Sequence, residues 1–254
     1  MKKIARISVS PVKGFRLHHP EEVELGPEGV PGNRRFLVVD EEGQRLRSSA
    51  TPWLTLLSAS YDPAADSLAI RLPDGSEVSG SAAPDGVRVH STVGTLEVHA
   101  AIVDGPWAEP LSEIAGRPVR LARADSDGAT QVAPVTLVSD GSLARVAEAA
   151  SVATLDSRRF RMLFEVSGCP AHEEDEWAGR LLQVGDAVVR VGDGVVRCAV
   201  TTRHPETAER DLDTLHFISE YRGRRDEDGA VLFGVYAQVE SPGRVRIGDA
   251  VELV

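Results

Sequence analysis

Short runs in which apolar and polar residues alternate dominate this chain, with Gly and Pro turns between them. Alternation sends successive side chains to opposite faces of an extended strand. Val87-Arg88-Val89-His90 is such a half-buried strand, and Leu96-Glu97-Val98-His99 repeats the pattern. Two hairpins are predicted on turn chemistry. One runs from Phe36 to Leu46 around Glu42-Gly43, the other from Ser67 to Val78 around Asp74-Gly75. Near the C-terminal end come Val188 to Val191, Val195 to Cys198 and Val245 to Ile247. Gly-Asp pairs at 185–186, 192–193 and 248–249 read as turns that punctuate them.

Helical periodicity is sparse. Pro110 to Gly116 carries a short amphipathic turn or two. Asp140-Gly141-Ser142 predicts a helix start running to about Ala150, with Leu143, Val146 and Ala150 on one stripe. Leu212, Leu215, Ile218 and Tyr221 recur at helical spacing and read as core. Residues 125 to 132, Asp-Ser-Asp-Gly-Ala-Thr-Gln-Val, read as an exposed loop. The sum is a mostly β protein. Tight strand-turn alternation gives way to helices after Trp107. This suggests two packed β-barrel-like modules with a few covering helices, spanning residues 1–100 and 101–254.

The length of 254 residues suits one large domain or two intimate ones. A net charge of −11 argues against non-specific binding to nucleic acid or to an anionic membrane. The start Met1-Lys2-Lys3 has no apolar stretch behind it, and no run is long enough to span a bilayer. Two cysteines make no disulfide framework and suit a reducing compartment, so the cytoplasm is expected. Lys2, Lys3 and Lys13 are the only lysines in an otherwise Arg-based chain.

Candidate chemistry centres on Cys198, in Val195-Val196-Arg197-Cys198-Ala199-Val200-Thr201-Thr202. Spacing leaves three readings open: a core thiol, a nucleophile or a soft-metal ligand. Cys169, in Ser167-Gly168-Cys169-Pro170, matches no ligand motif and reads as a structural thiol. His18-His19 with Glu21-Glu22 is more simply a surface loop than a metal site. Glu173-Glu174-Asp175-Glu176 is more simply a solvated helix start than a cation site. His204 follows Cys198 by six residues, with no spacing rule to pair them. A Gly-rich phosphate loop, a CxxC pair and a Gly-x-Ser-x-Gly elbow are all absent.

One family is matched by the order of several motifs. Ser8-Val9-Ser10-Pro11-Val12-Lys13-Gly14, Gly32-Asn33-Arg34-Arg35-Phe36 and Leu111 to Val119 come first. Ser139 to Leu143, Arg159-Phe160-Arg161, Glu174 to Trp177 and Val184-Gly185-Asp186 follow. The series closes with Arg197-Cys198-x-Val200-Thr201, Tyr221-Arg222, Phe233 to Tyr236 and Gly243 to Asp249. This series resembles the MOSC-domain family, with its N-terminal β-barrel domain. The family also holds the C-terminal domain of molybdenum cofactor sulfurase and the mitochondrial amidoxime reducing component.

The resemblance implies a molybdenum cofactor, a molybdopterin, with Cys198 as the molybdenum ligand. A thiolate is a soft ligand of the kind molybdenum takes. Lys13, Arg34 and Arg161 match cations that hold the anionic pterin, all expected to line one cleft, and Arg197 and Thr201 belong to the cysteine motif. The implied activity is reduction of a small N-hydroxylated or N-oxide substrate. Electrons would come from a separate donor protein, since no ferredoxin-like cysteine cluster is present. Leu163 stands where the family has Asn, Asn33 where it has Asp, and Gln131-Val132-Ala133 where polar residues precede Pro134. These departures fall on what the resemblance makes the cofactor-facing side. They leave three alternatives: a sulfur carrier with a persulfide on Cys198, a remodelled non-molybdenum enzyme, and a non-catalytic cofactor carrier.

Overall fold

A computed structural model describes residues 1–94 and 96–254. Strands β1 (Lys3–Ile7) and β2 (Glu22–Leu25) open the chain. Then come β3 (Phe36–Val39), β4 (Ser58–Asp62), β5 (Ser67–Arg71), β6 (Glu77–Ser81), β7 (Arg88–Val93), β8 (Leu96–Val103) and helix α1 (Ala108–Ala115). Next are β9 (Arg120–Ala124), β10 (Val135–Ser139), helix α2 (Asp140–Ala149), β11 (Phe164–Ser167), β12 (Leu181–Val184) and β13 (Ala187–Val196). Helix α3 (Thr214–Arg222), β14 (Leu232–Ser241), β15 (Gly243–Arg246) and β16 (Val251–Leu253) complete it. Strand accounts for 38% of residues and helix of all kinds for 18%, so the protein is mostly β, as its alternation predicts. Among the described residues no helix is long and apolar enough to cross a membrane.

The chain forms two compact units that interleave in sequence. One comprises Met1–Ser8, His19–Val30 and Ala133–Val254, the other Val9–His18 and Pro31–Val132. In the first, seven strands form one sheet in the order β1-β11-β10-β14-β13-β12-β16. Its two ends meet: Ile4 N–H donates to Asp249 C=O at 2.9 Å and Gly248 N–H to Ile4 C=O at 2.7 Å. The sheet is therefore a nearly closed barrel, which removes its edges. β10 and β11 run parallel, while the other pairings within the sheet are antiparallel.

The sequence reading puts a turn at Gly192-Asp193. Instead β13 runs straight through it for 10 residues, with register shifts at Gly194. Neighbouring β14 supplies ladder partners on both sides, so the glycines mark β-bulges rather than a chain reversal. Helix α2 packs Leu143, Val146 and Ala147 inward. Its first turn lies so close to the Cys169 segment that a Cβ at Gly141 would sit 2.3 Å from Cys169 C=O.

The second unit holds a four-stranded sheet, β3-β9-β8-β7, and a three-stranded one, β4-β5-β6, all antiparallel. β3 is buried on both faces. Phe36 and Val38 join a core with Leu54, Leu68, Ile70 and Trp107, whereas Leu37 and Val39 join another with Val98, Ala100 and Ile102. Both predicted hairpins form. Gly43 N–H donates to Asp40 C=O in the first turn, and Gly75 N–H donates to Leu72 C=O in the second.

Candidate functional site

The bulged end of β13 delivers Cys198 to a tight turn. Cys198 is exposed and stands at the N-cap of a 3₁₀ helix, Ala199–Thr202, without using its thiol as a cap. Its carbonyl accepts from Thr201 N–H and from Thr201 Oγ1, each at 3.1 Å. Thr201 is fully buried and its hydroxyl also accepts from Thr214 Oγ1 at 2.8 Å. Thr201 thus builds the turn from inside while the thiol of Cys198 faces out.

Arg159 is the brace that sequence reasoning missed. It is buried, and its guanidinium donates to the carbonyls of Thr201 and Arg203 and, in fork fashion, to both oxygens of Asp211, all at 3.1 Å. Burial pushes the Asp211 carboxyl up; the Arg159 hydrogen bond and charge more than reverse that and hold it below the ordinary range. Arg197 reaches back over the Phe160 ring, 5.4 Å from guanidinium to centroid. It donates to Phe160 C=O and to Met162 Sδ. Met162 also packs on Gly234, where φ is +71° and a Cβ would lie 2.5 Å from Met162 Cε. Arg161 terminates the 3₁₀ helix Ser157–Phe160 in the left-handed region, at φ 57°.

Lys13 and Arg34 come together in the other unit. Lys13 Nζ donates to Thr130 C=O at 2.5 Å, and Thr130 Oγ1 donates to Arg34 C=O at 2.6 Å. Arg34 Nη1 donates to Gln131 Oε1 at 3.3 Å. Arg34, like Arg161, holds a left-handed φ, 55°. Such conformations cost a non-glycine residue about 1–3 kcal/mol and concentrate at functional sites. The segment 125–132 is the loop its composition predicts, with Asp125 and Val132 exposed, but it is half-buried between them and Thr130 is buried. Thr130 is 1% exposed; its carbonyl accepts from Lys13 Nζ and its hydroxyl donates to the main-chain carbonyl of Arg34.

Two further corrections concern the acidic run and the family departures. Glu174 is fully buried rather than solvated; it accepts from Ser139 N–H at 3.3 Å and Ser139 Oγ at 2.6 Å, fixing the start of α2. Leu163, placed on the cofactor-facing side by sequence, is 2% exposed, and its N–H donates to Thr136 Oγ1. Its apolar side chain belongs to the core. His18 and His19 bond to backbone carbonyls of Ala59 and Ile7, and His204 Nδ1 accepts from Glu206 and Thr207 N–H in its own turn. Among the described residues no three His, Cys, Asp or Glu side chains gather as metal ligands.

Two observations bear on an anionic, metal-bearing cofactor. Around Lys13 and Arg34, the amide nitrogens Asn33 Nδ2 and Gln131 Nε2 are buried with no acceptor among the described residues. Surplus buried donors beside cations suit an oxygen-rich anion. At the other unit, an outward thiol on a braced turn suits one soft metal bond. Each donor group, taken by itself, is of a chemical kind that a molybdopterin takes.

Residues 124–252 match the family model described as the MOSC domain, and residues 1–106 that described as the MOSC N-terminal beta barrel domain. The chain is similar to mitochondrial amidoxime reducing component 2 of Homo sapiens, 27% identical over 280 residues covering 98% of this chain and 82% of that protein. Similarity to component 1 of Homo sapiens is 26% over 285 residues, covering 99% and 82%. Molybdenum cofactor sulfurase of Danio rerio is 25% identical over 282 residues, covering 94% of this chain and 32% of the sulfurase.

Proposed function

The chain belongs to the MOSC-domain family, and from that premise we propose that it is a molybdenum-cofactor-dependent oxidoreductase reducing N-hydroxylated substrates, with Cys198 as the metal's protein ligand. One observation carries this reading: Cys198 is an outward thiol on a turn held rigid by Arg159, Thr201 and Thr214. A preorganised ligand keeps its geometry through turnover. Lys13, Arg34 and Arg161 supply cations for the anionic pterin, with Asn33 Nδ2 and Gln131 Nε2 as further donors beside the first two. When bound, the cofactor supplies a two-electron redox centre. Reduction of a hydroxylamine-type nitrogen consumes two electrons and two protons and releases water, and a separate donor protein would deliver the electrons.

The test is metal and pterin analysis of the protein purified from molybdate-supplied cells. Molybdenum and pterin are expected in the wild type. Lys13→Ala is expected to be depleted in pterin, since it removes a cation from an anionic ligand. Cys198→Ala is expected to stay inactive even after reloading. A wild type that holds neither, and takes up none on reconstitution, overturns the reading. Labile sulfur on Cys198 would then point to sulfur transfer.

A further inference from the structure

His90 and His99 stand directly opposite one another on β7 and β8. The carbonyl of His90 accepts from the Gln44 side chain at 3.2 Å and that of His99 from Asp125 N–H at 3.1 Å. Both backbones thus bond away from each other. The two residues form the non-hydrogen-bonded kind of antiparallel pair, in which side chains approach closest. Their Nδ1 atoms lie 2.8 Å apart, with rings crossed at 88°. Both residues are exposed and line a cleft of about 280 Å³ with Gln44, Thr92 and Glu97. The Asp125 carboxylate is paired with Arg88, and the Asp125 backbone N–H is the donor to the His99 carbonyl.

Two imidazole nitrogens fixed this close suit a metal. With metal–nitrogen bonds of 2.0–2.1 Å, cis ligands at a right angle are about 2.9 Å apart, and tetrahedral ligands about 3.3 Å. The observed 2.8 Å matches the right-angled pair, the geometry of Ni(II) and Cu(II) sites. We propose that His90 and His99 bind a divalent Ni(II)- or Cu(II)-type ion through both Nδ1 atoms, clipping edge strand β7 to β8. The ion replaces the hydrogen bond that joins the rings. The donor ring moves its proton to Nε2, so both lone pairs become available with no net loss of a proton. Small rotations of the two exposed rings aim those lone pairs at one point. No third His, Cys, Asp or Glu ligand joins them among the described residues, so water completes the coordination. Glu97, which lines the same cleft, adds a carboxylate nearby.

Calorimetric titration of the full chain with Ni(II) alone tests this. One ion is expected to bind in a mode that His90→Ala and His99→Ala each weaken by about a hundred-fold, the usual gain from a second, tethered contact. His18→Ala is expected to leave that mode unchanged. Ni(II) should raise the melting temperature of the wild type and of neither variant. With Cu(II), electron paramagnetic resonance should show two nitrogen couplings in the wild type and one in each variant. Should either alanine variant fail to fold, His90→Gln and His99→Gln give the same comparison. Binding that survives both substitutions, or that follows His18 or Cys198, overturns the proposal.

Discussion

The two cysteines of this chain sit in opposite surroundings. Cys198 is exposed on a turn whose neighbours are arginines and threonines. Cys169 is buried against the first turn of α2, and its N–H donates to Asp140. Burial pushes the Cys169 thiol up to about 12, with Glu173 and Asp140 adding to the effect. An apolar, acidic pocket keeps a thiol protonated and inert, while an outward position leaves a thiol open to metal or reagent. Identical side chains therefore do different work because their backbones deliver them differently.

The comparison breaks most sharply on activity. Cys198→Ala is expected to abolish reduction of an N-hydroxylated substrate, beyond the roughly 10–100-fold cost of losing a metal's outer-shell partner. Cys169→Ser is expected to stay near wild type, because Cys169 is buried and its sequence context matches no ligand motif. Steady-state assay of both variants decides it, and equal losses would erase the distinction. Alkylation offers a second measure. At pH 8, with the Cys169 thiol near 12, only about one part in ten thousand of it is thiolate. Iodoacetamide should add one label to the wild type, read by mass spectrometry, and none to Cys198→Ser.

How far the sequence shows this depends on distance along the chain. β3 and β8, the hairpin turns and the stripes of α2 and α3 rest on neighbours within a few residues, and they are legible. Gly192-Asp193 misleads because a turn signal was overruled by a partner strand, β14, that no local pattern announces. Glu174 and Thr130 mislead for the same reason. Their polar groups are satisfied from 35 residues away at Ser139 and 117 residues away at Lys13. Cys198 stands out because the residue is rare, and Lys13, Arg34 and Arg161 stand out through family resemblance. Asn33 and Gln131 show only as departures from the family pattern and Arg159 only as part of a motif, since their contacts arise when distant segments meet. The interleaving of the two compact units is likewise invisible in a linear reading.

Arg159 tests what holds the Cys198 turn in place. Arg159→Ala leaves the carbonyls of Thr201 and Arg203 and the Asp211 carboxylate without their donor. Removing one partner of a buried pair costs about 3–5 kcal/mol. The low end applies because the Asp211 side chain is 34% exposed. Arg159→Lys keeps the charge but not the planar fork and should fall between alanine and wild type. Urea unfolding gives the stability, and the metal content of the folded fraction tests positioning. A full molybdenum complement in a destabilised Arg159→Ala would confine the residue to a structural role.

The smallest expected effect belongs to the Cys169 side of the comparison and is read by pH. His172 lies three residues beyond Cys169 with a left-handed φ of 64°. Its ring packs 5.5 Å from Tyr221 and 6.1 Å from Phe233, and its Nδ1 meets Arg222 and Ser142 Oγ. Burial first, and then the Arg222 charge, lower its pKa from 6.5 to about 4 against the opposing pull of Asp175. The folded state thus refuses a proton that the unfolded chain accepts. Stability from this group is complete above pH 6.5 and drains as pH falls toward 4, by at most about 1.4 kcal/mol per pH unit. Carboxylates held low, such as Asp211, act only below their ordinary value of 3.8, so the step from pH 7 to 5 samples His172 rather than them. His172→Gln should flatten the fall in urea midpoint over that step and leave the Cys198 turn intact. An unchanged slope would mean that the Cys169 side is not the acid-sensitive half of the pair.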